Sequence, residues 1–246
     1  MKMERTLLLL LLGIASLWAE SWHYRIASPL AGTLGRITIA KKLSTEHYRI
    51  DVDVKSQGIA AFLTGKRQEH YRSEGVVRHG KLRSRTLRME RRTKKKRQID
   101  TYIIDSGKRK VVKKRLRWKK GKLDTNRSKT LPYFSQEDLL TLYFNIAPNL
   151  LKDGKKTHWE ILTVGAEKIK GRVIIDRLKG KEAQKARRTL KVGADRVIVV
   201  FHSSEKIAGK RNRRFTVAID PQGIPEKIRF VAIPVVGVIV IERRGR

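Results

Sequence analysis

Residues 108–122 read KRKVVKKRLRWKKGK, with ten Lys or Arg and no acid. Side chains of this kind attract anions, and a row of them attracts a polyanion. Written as a strand, the stretch puts Lys110, Val112, Lys114, Leu116 and Trp118 on one face. Arg109, Val111, Lys113, Arg115 and Arg117 share the other, because side chains alternate along a strand. The upstream run LRSRTLRMERRTKKKRQ is built alike. Leu87 and Met89 face a core there, while Arg88, Arg92 and their neighbours, Lys95 among them, point out. The two runs can pair as a hairpin through Asp105-Ser106-Gly107, which would stack their charges side by side. The candidate anion-binding residues are therefore Arg88, Arg92, Lys95, Arg109, Lys113, Arg115, Arg117 and Trp118. The competing reading is a solvated face, whose long Lys and Arg stems shield strands from aggregation.

Other chemistry is sparse. The sequence holds no G-x-S-x-G, H-E-x-x-H, P-loop or G-x-G-x-x-G pattern. It has no Cys, which removes thiol catalysis, disulfides and Cys–zinc sites. The six His are scattered, with His70 and His79 nine apart across a turn. Asp51 and Asp53 share a strand face with Arg49 and Lys55, the pattern of a cross-neutralised surface. No catalytic residue, metal site or cofactor is expected. A second candidate site is apolar. It combines Leu139, Leu142 and Tyr143 of a helix with Phe230, Val236 and Val238, and could hold an acyl chain; core packing is the plainer reading.

These residues need elements to position them. The dominant period is two. In EHYRIDVDVK, Tyr48, Ile50, Val52 and Val54 alternate with charged residues, which marks a half-buried antiparallel strand. Residues 35–42, 99–105 and 213–220 read likewise, and 171–178 and 195–204 are rich in β-branched residues and also look like strands. The apolar run Phe230–Ile241 reads as two strands meeting at a bend or one bent strand, central or lining a cavity. SQEDLLTLYFNIAP breaks the pattern with Leu139, Leu142, Tyr143 and Ile146 at helical spacing. It predicts a helix over 136–146, opened by a Ser135–Asp138 capping box and closed by Pro148. The fold class is all-β, with one or two short helices. It is a curved antiparallel sheet, an open barrel or half-barrel, with one helix packed on it.

The chain opens MKMERTLLLLLLGIASLWAESW, a basic start, an apolar core and small residues at Ala19 and Ser21. That is the layout of a secretory signal peptide over residues 1–19, followed by a single β-rich domain over 20–246. The net charge is +35, and residues 81–122 hold 20 of the 58 Lys and Arg against three acids. Export makes the expected compartment the periplasm, with the protein soluble or peripheral on a membrane and without an integral span after cleavage. There the polyanion is membrane lipid, lipopolysaccharide or acidic glycan. Nucleic acid, the usual partner of such charge, is disfavoured by export and by few stacking aromatics.

The order of YRIASPLAGTLGRITI, HYRIDVDVKSQGIAAFL, the SQEDLLTLYFNI helix, WEILTVGAEKI and RRFTVAIDPQGIPEKIRFVAIPVVGVIVIE over residues 24–243 resembles an exported bacterial family, domain of unknown function 3108. The resemblance implies an envelope protein with a curved antiparallel sheet and brings no activity and no site residues. The middle strands are more basic than the family pattern. The expected function is a non-enzymatic binding protein for anionic envelope components. The alternatives are an assembly factor that binds a protein partner by a sheet edge, and a hydrolase of envelope glycan or lipid.

Overall fold

Period-two patterning calls for a sheet that buries one face, and the chain forms such a sheet. The computed structural model describes residues 18–152, 156–167, 170–203, 213–233 and 237–245. Its strands are β1 (Trp18–Ser28), β2 (Gly32–Leu43), β3 (His47–Ser56), β4 (Gln68–Arg78), β5 (Lys81–Arg92), β6 (Lys96–Asp105) and β7 (Lys110–Lys119). Then follow β8 (Lys122–Thr130), β9 (His158–Leu162), β10 (Arg172–Arg177), β11 (Val197–Ser203), β12 (Arg213–Ile219), β13 (Pro225–Ile233) and β14 (Gly237–Arg243). All lie in one antiparallel sheet, ordered β8-β7-β6-β5-β4-β3-β2-β1-β14-β13-β12-β11-β10-β9. The fold is all-β, and the sheet does not close, since β8 and β9 are both edges. Of the expected signal peptide, residues 1–17 lie outside the described residues. Cleavage after Ala19 would leave Glu20–Ser28 of β1 paired with β2.

Among the described residues, three helices accompany the sheet: α1 (Gly58–Thr64), α2 (Leu139–Leu151) and α3 (Gly180–Leu190). Helix α2 lies on what we term the inner face. Its Leu142, Ile146 and Leu150 pack on Trp159, Val173, Ile175, Val199, Val217 and Ile219. Its Leu140 and Phe144 meet the cluster around Tyr48, Ile50 and Val52. One helix thereby joins the two halves of the sheet, and each buried Leu or Ile contributes about 1.5–3 kcal/mol. Helix α3 covers the other face of β11 and β12 through Leu190, Ile198 and Ala218.

The expected start and stop of α2 are both corrected. The N-cap is Asp138, and the capping box pairs it with Thr141. Ser135 instead donates to the Leu162 carbonyl at 2.7 Å, tying the helix entry to β9. The helix runs through Pro148 to Leu151. Asp138 is fully buried. Its Oδ1 accepts from the N–H groups of Leu140 and Thr141 at 2.8 and 2.9 Å. Its Oδ2 accepts from the Ser73 and Ser84 hydroxyls at 2.5 and 2.7 Å. Burial raises the Asp138 pKa against the pull of these four donors. Gly75 sits at the β4–β5 irregularity beside Ser73. A Cβ there would lie 2.0 Å from the Arg83 carbonyl oxygen, so only glycine allows that strand approach.

The two basic runs pair only at their ends. The upstream run forms β5, the β5–β6 turn and the first residues of β6, whose Lys96, Arg97 and Gln98 pair with Lys119, Trp118 and Arg117; β6 otherwise separates β5 from β7, and the hairpin through Asp105-Ser106-Gly107 joins β6 to β7. The C-terminal apolar run forms the β13–β14 hairpin, whose β14 pairs with β1. Among the described residues, no helix is long and apolar enough to cross a membrane.

Candidate functional site

The strand registers separate the candidate cations. Arg88 pairs with Thr101, and Arg92 with Arg97, whose next partner is Trp118; these residues share the outer face. Lys113 pairs with Tyr102, Arg115 with Asp100 and Arg117 with Gln98, on the inner face. Arg109 sits in the β6–β7 turn at the far end of the sheet, its guanidinium 5.1 Å from the Phe134 ring centroid. The eight candidates are thus not one surface.

Lys113 is a correction in its own right. It is 5% exposed. Its Nζ donates to Glu167 and lies 3.5 Å from Asp100 Oδ2 and 4.9 Å from the Tyr102 ring centroid. Tyr102 also donates to Glu167 at 2.5 Å, and Lys129 of β8 pairs with Glu167 at 2.7 Å. Arg115 holds Asp100 through two bonds of 2.6 and 2.9 Å. Burial raises the Glu167 pKa, but Lys113, Lys129 and Tyr102 outweigh it and hold the carboxyl at about 2. Asp100 also stays below the ordinary range, where burial is outweighed by Arg115 and Lys113. These inner cations therefore face protein carboxylates. Because Glu167 follows β9 while Lys113 and Lys129 belong to β7 and β8, the cluster bridges the open edges of the sheet. Arg117 is likewise held, 2.6 Å from Asp124.

Exposed cations collect elsewhere. The β5–β6 turn is closed by Thr93, whose N–H donates to the Lys96 carbonyl at 2.8 Å and whose Oγ1 accepts from the Lys96 N–H at 3.1 Å. Lys94 and Lys95 form its tip. The turn is braced on both sides, by Lys94 N–H to the Gly65 carbonyl (3.1 Å) and by Lys120 N–H to the Lys95 carbonyl (2.9 Å). Arg92, Lys94, Lys95, Lys96, Arg97 and Trp118 line an open cleft of about 360 Å³. The Arg97 guanidinium stacks 5.3 Å from the Trp118 ring centroid while bonding Glu90 at 2.7 Å. Among the described residues, Arg92, Lys94, Lys95 and Lys96 have no salt-bridge partner. Of the eight candidates, this cleft gathers Arg92, Lys95 and Trp118. It adds Lys94, Lys96 and Arg97, which the sequence reading left aside.

The apolar candidates also divide. Leu139 and Tyr143 line an apolar cavity of about 110 Å³ with Trp22, Tyr24, Ile39 and Phe144. Tyr143 donates to the Gly223 carbonyl at 2.7 Å, and burial pushes its pKa well up. Leu142 is buried in the core instead. Phe230 lies elsewhere on the inner face, in a ladder of directly opposed Phe201, Phe215, Phe230 and Ile239. The three rings stack at centroid spacings of 5.2 Å. Val238, next to Ile239, faces the other side of the sheet, which corrects its assignment to the groove. Val236 lies outside the described residues.

Other titratable residues form local ion clusters. Asp51 meets both Arg49 and Arg72 at 2.7 Å, and His70 bonds Asp53 at 3.0 Å, while His79 lies in the next turn. Asp176 stands between His158 (2.7 Å) and His202 (2.5 Å). Only strand register reveals that trio, since the three lie on β9, β10 and β11.

Comparison with known proteins gives a family and a fold. A family model described as a protein of unknown function, DUF3108, matches residues 23–242. No curated protein matches. A crystal structure of a β-barrel-like protein of domain of unknown function DUF1849 from Brucella abortus is similar over 92% of this chain and 98% of that one. The TM-score is 0.52 at 10% identity, a likeness of fold alone.

Proposed function

This chain belongs to DUF3108, a family of unknown function, and from that premise we propose an exported, non-enzymatic protein that binds anionic components of the cell envelope. Residues 1–19 direct export in this reading, and the mature protein works in the periplasm at a membrane surface. The observation that supports it is the cleft of Arg92, Lys94, Lys95, Lys96, Arg97 and Trp118. Its turn is braced by backbone bonds to two neighbours, and four of its cations lack a carboxylate partner among the described residues. Cations held in water by a rigid turn keep their attraction for outside anions, whereas those beside Asp100 and Glu167 have theirs satisfied.

Co-sedimentation of the protein, from Glu20 onward, with phosphatidylglycerol and phosphatidylcholine vesicles across a salt series tests this. Binding is expected to anionic vesicles only and to fall with salt. Replacing Lys94, Lys95 and Lys96 by Gln weakens it about a hundredfold, at roughly 1 kcal/mol per charge near the surface. Indifference of the wild-type protein to anionic vesicles at physiological salt overturns the proposal. A second reading draws on the edge strand β8, exposed along most of Lys122–Thr130, which could add a strand from a protein partner. It predicts a complex that survives high salt without lipid.

A further inference from the structure

In an antiparallel meander, alternate connections fall at the same end of the sheet. The end that carries the cationic turn also carries the β1–β2 turn, α1 and the β7–β8 turn. Backbone contacts tie these connections together. The Gln57 N–H donates to the Leu34 carbonyl at 2.8 Å, Lys94 N–H to Gly65, and Lys120 N–H to Lys95.

Helix α1, GIAAFLT, is the unexpected member. None of its residues is buried. Ile59 is 47% exposed, Phe62 85% and Leu63 60%, and Leu30 in the adjacent β1–β2 turn is 80% exposed. The helix ends at Gly65 in the left-handed region, φ 67°, with the Lys66 N–H returned to the Ala61 carbonyl. That reversal leads into Lys66 and Arg67, the latter paired with Glu69, and the bond from the Lys94 N–H to the Gly65 carbonyl sets the cationic turn against the helix end. Large apolar side chains clustered on a surface and rimmed by charge mark an interaction site. Here the rim is cationic, so the fitting partner has an apolar interior under an anionic skin.

We propose that this end of the sheet docks on an anionic phospholipid bilayer, with Phe62, Leu63, Ile59 and Leu30 entering the acyl boundary and the Lys94–Lys96 turn and Lys66 meeting headgroups. The proposal rests on the anion-binding reading above and adds to it an orientation and a depth. Interfacial binding of this type sums buried apolar area and attraction to anionic lipid. The basic collar sets the salt dependence, and the apolar tip sets a component that salt does not remove.

The absence of Cys permits a single reporter. The protein purified after export is labelled with an environment-sensitive fluorophore at Leu63→Cys, and separately at Asn126→Cys on the β8 edge as a control. With phosphatidylglycerol vesicles, the probe at position 63 shifts to the blue and is quenched by a nitroxide carried on the lipid chains. The probe at 126 does neither. Phe62→Ser with Leu63→Ser lowers partitioning about tenfold or more while leaving its salt dependence intact. Both positions are exposed, so the fold is retained, as the urea midpoint checks. Vesicle binding with an aqueous probe at 63 overturns this inference and leaves the anion-binding reading standing. Absence of vesicle binding overturns both. If the Ser variants change the sedimenting mass of the free protein instead of its partitioning, the surface is a contact between copies and the inference fails.

Discussion

Lys113 and Lys95 come from the same basic stretch of sequence and end in opposite surroundings. Lys113 is buried between Asp100 and Glu167, over the Tyr102 ring. Lys95 is exposed at a hairpin tip with no carboxylate partner among the described residues. The first cation acts inside the protein, drawing β7 and β8 towards the chain that follows β9. The second leaves its field to the solvent. Density of positive charge along a sequence therefore does not locate an anion site; pairing register and burial do.

Removing Lys113 tests the contrast most severely. Lys113→Met removes the buried cation between Asp100 and the partly buried Glu167, which keep Arg115 and Lys129, and is expected to cost about 1–3 kcal/mol, measured as a shift in urea unfolding. Lys95→Met is expected to change stability by less than about 0.5 kcal/mol. Equal effects would erase the distinction between the two cations. Asp138 offers a comparison with a buried carboxylate satisfied by neutral donors instead of a cation. Asp138→Ala removes the α2 cap and the shared acceptor of the Ser73 and Ser84 hydroxyls, for an expected loss of about 2–4 kcal/mol in the same assay.

Glu167 supplies the smaller, pH-dependent effect. Its folded pKa of about 2 lies below its ordinary 4.5, so its contribution is complete above about 4.5 and is lost as pH falls towards about 2. The stability difference between wild type and Glu167→Gln should shrink across that window. A difference that holds constant to pH 2 would show that the carboxylate's ionisation does not drive the clasp.

Much of the architecture was legible. Alternation in EHYRIDVDVK and Ile99–Asp105 marks β3 and β6, and the mixed-face apolar run after Phe230 becomes the central β13–β14 pair. What escaped depends on distant partners. Glu167 is 54 residues from Lys113, and nothing local announces their meeting. Residues 180–190 are polar apart from a narrow stripe of Ala183, Ala186 and Leu190 at helical spacing, which two small side chains make easy to overlook. Helix α1 is seven residues long, too short for a helical period to show. Ser135 resembles an N-cap in sequence, but Asp138 receives the hydroxyls of Ser73 and Ser84, a contact visible only once β4 and β5 are paired. The cationic cleft was half legible: the charges are obvious, yet selecting the turn residues over the strand residues required the register.

The most direct test measures vesicle partitioning of two matched variants across salt. One carries Lys94→Gln, Lys95→Gln and Lys96→Gln at the turn, and the other Lys110→Gln, Lys114→Gln and Arg117→Gln on the strand. The account predicts that the turn variant loses most of its affinity for phosphatidylglycerol vesicles while the strand variant keeps nearly all of it. Loss in the strand variant with retention in the turn variant would contradict it and return the anion site to the β7 strand.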